Sequence, residues 1–365
     1  MSNQSTHSRR EFIRRMTLLG LGASAYALTG CSPDEVLEEM AATTSVDHPI
    51  TQSSAEPTAA ATDAPQLTEE VGLADSSQVN TQPTSSSSQQ SLETQSDHAG
   101  MAVVHGDSPT DLVHAALNAL GGIERFVSPG DSVVIKPNIV AADYSYEYAV
   151  YTNPEVVAAV TLLCVNAGAR QVKVMDRPSS GTCEQVYARS GIGDAVTAVG
   201  GQMEVMSDLK YRETALPEGR DLSAWNVYGD VLDADVVINV PIAKHHRLSQ
   251  LTLSMKNLMG VITNRNQFHS NLGQRIADIA SLVRPTLTIV DAVRILMDRG
   301  PRGGNLGDVK QTNMLIASPD FIAAGAYAAT LFGKQGRDVD AIRLGAEMGL
   351  GVLDLNSVQI AEVNI

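Results

Sequence analysis

Lysine, asparagine, aspartate and histidine recur from residue 136 onward at or just beyond the ends of apolar runs. Lys136-Pro137-Asn138 closes one such run and Asp176-Arg177-Pro178 another, while Asn239-Val240-Pro241 leads a third into Lys244-His245-His246. A fourth run, 286–291, ends in Asp291. A second cluster passes from Lys256-Asn257-Leu258-Met259-Gly260 through Arg265 to Phe268-His269, and Gly300-Pro301-Arg302-Gly303-Gly304 follows. A lysine ammonium is a compact cation that holds carboxylate or phosphate. Lys136, Lys244 and Lys256 are therefore expected to bind a small anion, with Asn138 and Asn257 either bonding it or capping their own turns. Imidazole ligates metals and moves protons near neutral pH, and with carboxylates it forms a mixed nitrogen–oxygen ligand set. Asp176, Asp291, His246 and His269 are the expected ligands of a divalent metal. His246, His269 and Asp291 are also the expected proton-transfer groups of a catalytic site. The glycines of 300–304 would let backbone N–H groups approach a ligand, but they match neither a P-loop nor a dinucleotide fingerprint.

Something must bring these groups together. From residue 100 onward, short β-branched runs alternate with helical patterns. Strands are expected over 102–105, 132–136, 171–176, 202–206, 236–240, 286–291 and 314–317. Helices are expected over 110–120, 154–166, 193–199, 271–282 and 321–332. Pro154 after Asn153 marks a helix start, and Gly168 its stop. Runs such as Val236-Val237-Ile238 are apolar on both faces. Residues 100–365 are thus expected to form a single α/β domain, a mostly parallel sheet with helices on both faces. In such a sheet ligands bind outside the carboxyl ends of the strands, where the polar residues above would converge on one rim.

The chain has 365 residues, 43% hydrophobic and 18% charged, with a net charge of −15. The charge is uneven: residues 1–31 carry +3, residues 32–99 carry −12 with no lysine or arginine, and the remainder −6. An acidic chain repels phosphate backbones, which argues against a nucleic-acid partner. Ser8-Arg9-Arg10-Glu11-Phe12-Ile13 precedes a short apolar run and resembles a twin-arginine export signal, implying the twin-arginine export machinery as a partner. Leu28-Thr29-Gly30-Cys31 resembles a bacterial lipobox, with lipidation expected at Cys31 and an extracytoplasmic, membrane-anchored location. Residues 32–99 are rich in Ser, Thr, Gln and acidic residues and are expected to be a disordered tether, with a root-mean-square span of roughly 45 Å. The three cysteines, Cys31, Cys164 and Cys183, include no CxxC pair, which excludes a disulfide scaffold and a zinc ribbon. A Cys164–Cys183 bridge is open in an oxidising compartment, and nothing in the sequence fixes it.

The motifs Lys136-Pro137-Asn138, Thr152-Asn153-Pro154, Asp176, Asn239-Val240-Pro241, Lys244-His245-His246, Lys256-Asn257-Leu258-Met259-Gly260, Phe268-His269, Asp291 and Gly300-Pro301-Arg302-Gly303 occur in an order that resembles domain-of-unknown-function family 362 over about 100–335. The resemblance implies the fold and the place of the site rather than a reaction. It favours His246 over His245, since the family pattern is Lys-x-His. It also implies a loose link to iron–sulfur chemistry, because some members carry a ferredoxin-like segment; this chain departs from them in having no cysteine cluster. A second departure is Gly325, where the family usually has an aspartate. Three readings follow. The first is a small-anion or divalent-metal site, which would suit an enzyme. The second is a redox accessory protein serving an iron–sulfur partner. The third is a non-catalytic binding module on a long membrane tether.

Overall fold

The computed structural model describes residues 98–141 and 143–365. The signal, the lipidation site Cys31 and nearly all of the expected tether lie outside the described residues. The chain enters on β1 (Met101–His105) and α1 (Pro109–Ala119), then β2 (Ser132–Pro137), α2 (Pro154–Asn166) and β3 (Gln171–Val174). Two short helices, α3 (Cys183–Ser190) and α4 (Ile192–Ala198), lead to β4 (Gln202–Met203). A separate hairpin of β5 (Tyr211–Ala215) and β6 (Ala224–Tyr228) precedes α5 (Gly229–Asp233) and β7 (Val236–Val240). Then come β8 (Ile242–His246), β9 (Gln250–Thr252), α6 (Ser254–Asn257), α7 (Leu272–Val283), β10 (Leu287–Leu296) and β11 (Val309–Ser318). The chain ends on α8 (Phe321–Thr330), α9 (Asp340–Glu347) and β12 (Ile360–Asn364).

The main sheet runs β12-β1-β11-β10-β7-β2-β3-β4, with β8 beside β10 and β9 beside β8. Neighbours pair in parallel except around β11, which is antiparallel to β1 and β10, and at the β8–β9 pair. The mostly parallel sheet expected from apolar runs such as Val236–Val240 is therefore present, and all five residues of that strand are buried. Helices cover both faces in chain order. Leu112 and Val113 of α1, Val156 and Val160 of α2, and Val186 and Val196 of α3 and α4 pack on one face with Val133, Ile135 and Ile238. Met255, Ile276, Ile279, Phe321, Ile322 and Ile342 of α6 to α9 pack on the other with Val134, Val237 and Val290.

Local rules explain the boundaries. Asn153 caps α2 through Glu155 N, and Pro154 begins the helix without an N–H to leave unpaired. Ser108 and Asp320 cap α1 and α8 in the same way. Pro241 separates β7 from β8, and its carbonyl accepts from Asp291 N at 2.8 Å. Lys244, His245 and His246, expected beyond the end of the 236–240 strand, thus stand on a strand of their own. Other expected elements differ at their ends. The strand expected over 202–206 stops at Met203, while those expected over 286–291 and 314–317 grow into the ten-residue pair β10 and β11.

The two described cysteines are both free: Cys164 is buried on α2, and Cys183 opens α3 half-exposed. The bridge left open by the sequence is not made. Burial pushes the Cys164 thiol up to about 12. Iodoacetamide is expected to label Cys183 in the folded protein and Cys164 only after denaturation, read by peptide mass mapping; equal labelling of both under native conditions would contradict this packing.

Candidate functional site

Asn257 holds the strand ends together. It sits at the end of α6, 2% exposed, and its amide uses its full bonding capacity. Its Oδ1 accepts from Lys136 Nζ at 3.0 Å and from Asn138 Nδ2 at 2.9 Å. Its Nδ2 donates to Lys136 O at 3.1 Å and to Asn239 Oδ1 at 2.9 Å. Asn239 Nδ2 donates onward to Ser254 O at 2.7 Å. Four buried residues from β2, its following loop, β7 and α6 are thereby fixed to one another.

The lysines divide sharply. Lys136 is buried, and its ammonium meets Pro137 O at 2.8 Å, Asn257 Oδ1 at 3.0 Å and Asp176 Oδ1 at 2.8 Å. Lys244 is also buried and donates to Asn138 Oδ1 at 2.9 Å, Pro301 O at 3.1 Å and Val150 O. Each has three protein partners for its three N–H bonds. Lys256 is half-buried, and its ammonium makes no hydrogen bond or ion pair among the described residues. Burial pulls Lys244 down to about 7 and Lys256 to about 8. Arg265 and Lys136 lower Lys256 further, and Asp176 only partly offsets them. Burial lowers Lys136 too, against the pull of Asp176. Arg265, which the sequence did not single out as a site residue, completes the group. Its guanidinium is fixed to Arg177 O at 3.0 Å and Pro178 O at 2.7 Å, and it acts electrostatically on both Lys136 and Lys256.

Asp176 is the carboxylate of this cluster. Besides Lys136 it accepts from Ile139 N, which ties the loop after β2 to the end of β3. Gly260 packs directly on this pair; a Cβ there would lie 1.7 Å from Asp176 Oδ1 and 2.6 Å from Lys136 Nζ. Asp291 does not join them. On β10 it shares the face of Leu287, Ile289 and Val293, whereas Lys136 and Asn239 share the opposite face with Val134 and Val237. Its carboxylate accepts from Asn153 N at 2.7 Å and Val293 N at 3.0 Å, anchoring the start of α2. Burial raises the Asp291 carboxyl to about 6 despite those N–H groups.

The expected metal set is corrected by this geometry. Among the described residues no group of three or more His, Cys, Asp and Glu could hold a metal ion. Asp291 is on the wrong face, and Asp176 is committed to Lys136 and Ile139. His246 Nδ1 accepts from Leu248 N and Ser249 N, each at 3.2 Å, so its proton sits on Nε2 and leaves no lone pair there for a metal. Burial, then Lys256 and Lys244, lower His246 to about 3, and it stays a neutral donor at physiological pH. His269 is exposed on the turn before α7. The same facts remove Asp291 and a titrating His246 as a proton-transfer pair. His245 Nδ1 is likewise used, accepting from Gly300 N at 3.1 Å. The 300–304 glycines serve packing: Gly300 lies against the His245 carbonyl, where a Cβ would come within 1.8 Å of its oxygen, and Gly303 N bonds Arg299 O at 3.0 Å. Gly325 abuts Ser254 Oγ, where a Cβ would approach to 2.5 Å, so its departure from the family pattern is filled by neighbouring atoms.

An α/β protein with a donor-rich, cation-rich cluster at the carboxyl ends of a mostly parallel sheet is the class that fold and site define. The model of a domain of unknown function, DUF362, matches residues 133–330, and the chain belongs to that family. A thylakoid-associated protein of Synechocystis sp. is 29% identical over 216 residues, 57% of this chain and 64% of that protein's length. The lactate racemase apoprotein of Thermoanaerobacterium thermosaccharolyticum aligns at 12% identity with a TM-score of 0.42, covering 63% of this chain and 56% of that one. A protein of Thermotoga maritima aligns at 11% identity and a TM-score of 0.40, over 63% and 60% of the two chains.

Replacing Gly260 by alanine is expected to cost about 3 kcal/mol, because neither member of a buried ion pair can move aside cheaply. Urea unfolding measures it; a loss within about 0.5 kcal/mol would mean that the backbone does not press on Lys136 and Asp176.

Proposed function

We propose that the domain binds a small anionic molecule, carboxylate or phosphate, at the ends of β2, β3, β7 and β8. The observation that carries this is the charge imbalance: Lys136, Lys244, Lys256 and Arg265 surround the single carboxylate of Asp176, and Lys256 has no partner among the described residues. Buried cations in excess of anions are costly unless a ligand neutralises them. The neutral His246 ring adds a donor on the same side. Lys256 is the group that meets the ligand, while Lys136, Asn138, Lys244 and Asn257 hold the frame.

The test is a thermal-shift and calorimetric titration with phosphate and small carboxylates. The full chain is expected to bind, and Lys256→Gln to lose roughly ten- to a hundredfold in affinity, the worth of one charge-assisted hydrogen bond. A free ammonium near pH 8 must be protonated to pair with an anion. Affinity is therefore greatest below that pH and falls as pH rises through it, until the higher value in the complex is passed. Unchanged binding in the variant would remove Lys256 from the site.

The exported, lipid-anchored placement belongs to the same reading. It is supported by Arg9-Arg10 ahead of an apolar run and by Leu28-Thr29-Gly30-Cys31. Cys31→Ser is expected to move the protein from the membrane fraction to the soluble fraction of a bacterial host, read by fractionation and immunoblot. Retention in the membrane would refute lipid anchoring at that residue.

A further inference from the structure

We propose that Lys256 is a carbonyl-reactive amine: the anion of this site is a 2-oxo acid, and Lys256 condenses with its keto carbon to form an imine. The inference deepens the anion reading and rests on it. Its basis is the contrast among three lysines of one cluster. Lys136 and Lys244 have protein acceptors for all three of their N–H bonds and serve as struts. Lys256, on α6 next to the central Asn257, has none among the described residues and is not sealed from solvent. A nitrogen that holds no acceptor needs to break nothing before it reacts.

The surroundings suit the reaction. The groups whose charge bears most on Lys256 are Arg265 and Lys136, both cationic, with Asp176 alone opposing; Lys256 in turn bears on the His246 ring. Desolvation and neighbouring cations favour the neutral amine, which is the nucleophile. The outer edge of the Arg265 guanidinium would hold a carboxylate close by, and a 2-oxo acid carries its carboxylate on the carbon adjacent to the electrophile. An amino compound would meet like charges here and be rejected.

The step balances without a redox partner. The nitrogen lone pair forms the bond to the keto carbon while the carbonyl π pair moves to oxygen, which takes up a proton. The carbinolamine then expels that oxygen as water as the carbon–nitrogen double bond forms. The net change is amine plus ketone to imine plus water: the nitrogen gives up both of its protons to solvent, and the oxygen takes up two before it leaves as water. His246, whose ring feels the charge of Lys256, carries its proton on Nε2 and is a hydrogen-bond donor.

The experiment treats the full chain with pyruvate and cyanoborohydride, which reduces an imine to a stable secondary amine, and maps the product by peptide mass spectrometry. The chain has seven lysines, so position is informative. The expected result is an adduct of pyruvic acid less one oxygen atom on Lys256, its yield rising with pH through about 8. Lys256→Arg keeps the cation and removes the primary amine; it should keep pyruvate-induced thermal stabilisation and lose the adduct. Stabilisation by pyruvate without an adduct on Lys256 would overturn the imine and leave the anion site standing. Stabilisation by phosphate alone, with no response to pyruvate, would do the same. No response to any anion would sink both. Labelling spread over exposed lysines such as Lys310 would also overturn it, and that outcome is read on the wild-type chain, whether or not the variant folds.

Discussion

A single side-chain amide, that of Asn257, is the constraint on which this structure turns. A buried amide costs free energy unless all of its donors and acceptors are used, and this one is satisfied only if β2, the loop after it, β7 and α6 are all in place. Each of those groups in turn depends on the next. Asn138 donates its Nδ2–H to Asn257 while its one side-chain oxygen accepts from Lys244, and Lys136 can be buried only because Asp176 answers its charge. Removing one member would leave several buried polar atoms unpaired, so the network holds a single arrangement rather than a range of them.

That rigidity separates frame from function. A lysine with three acceptors has no capacity left for a ligand, and a histidine whose Nδ1 takes two backbone N–H groups has no freedom of tautomer. The cluster therefore spends most of its chemistry on holding its own shape. What is left over is narrow: the ammonium of Lys256, the outer edge of the Arg265 guanidinium and one imidazole N–H. All are donors, and they are what the frame did not consume.

Much of this was legible in the chain itself. Strands apolar on both faces announced a covered parallel sheet, and Lys136, Asn138, Lys244 and Asn257 were visible because polar residues at the ends of such strands have few other places to go. What was hidden has physical reasons. Asp291 follows Ile289 and Val290, apolar on successive positions and so on both faces, and alternation could not say which face its carboxylate takes; only the register of β10 against β7 decides that. His246 looked like a metal ligand because residue type does not reveal which ring nitrogen is already bonded. The strand β8 was missed because Lys244, His245 and His246 carry no apolar pattern, and β-structure there is imposed by pairing with β9 and β10. Arg265 lay inside a recognised stretch, but its guanidinium is turned toward the site by two carbonyls, of Arg177 and Pro178, that are remote in sequence.

The helices cover the sheet in the order in which they are made, the early ones on one side and the later ones on the other. Lys136 and its hydrogen-bond acceptor Asn257 are 121 residues apart. A ribosome therefore delivers the first lysine and its aspartate long before the amide that completes their surroundings. The burial of that lysine and its aspartate is incomplete until α6 has been made.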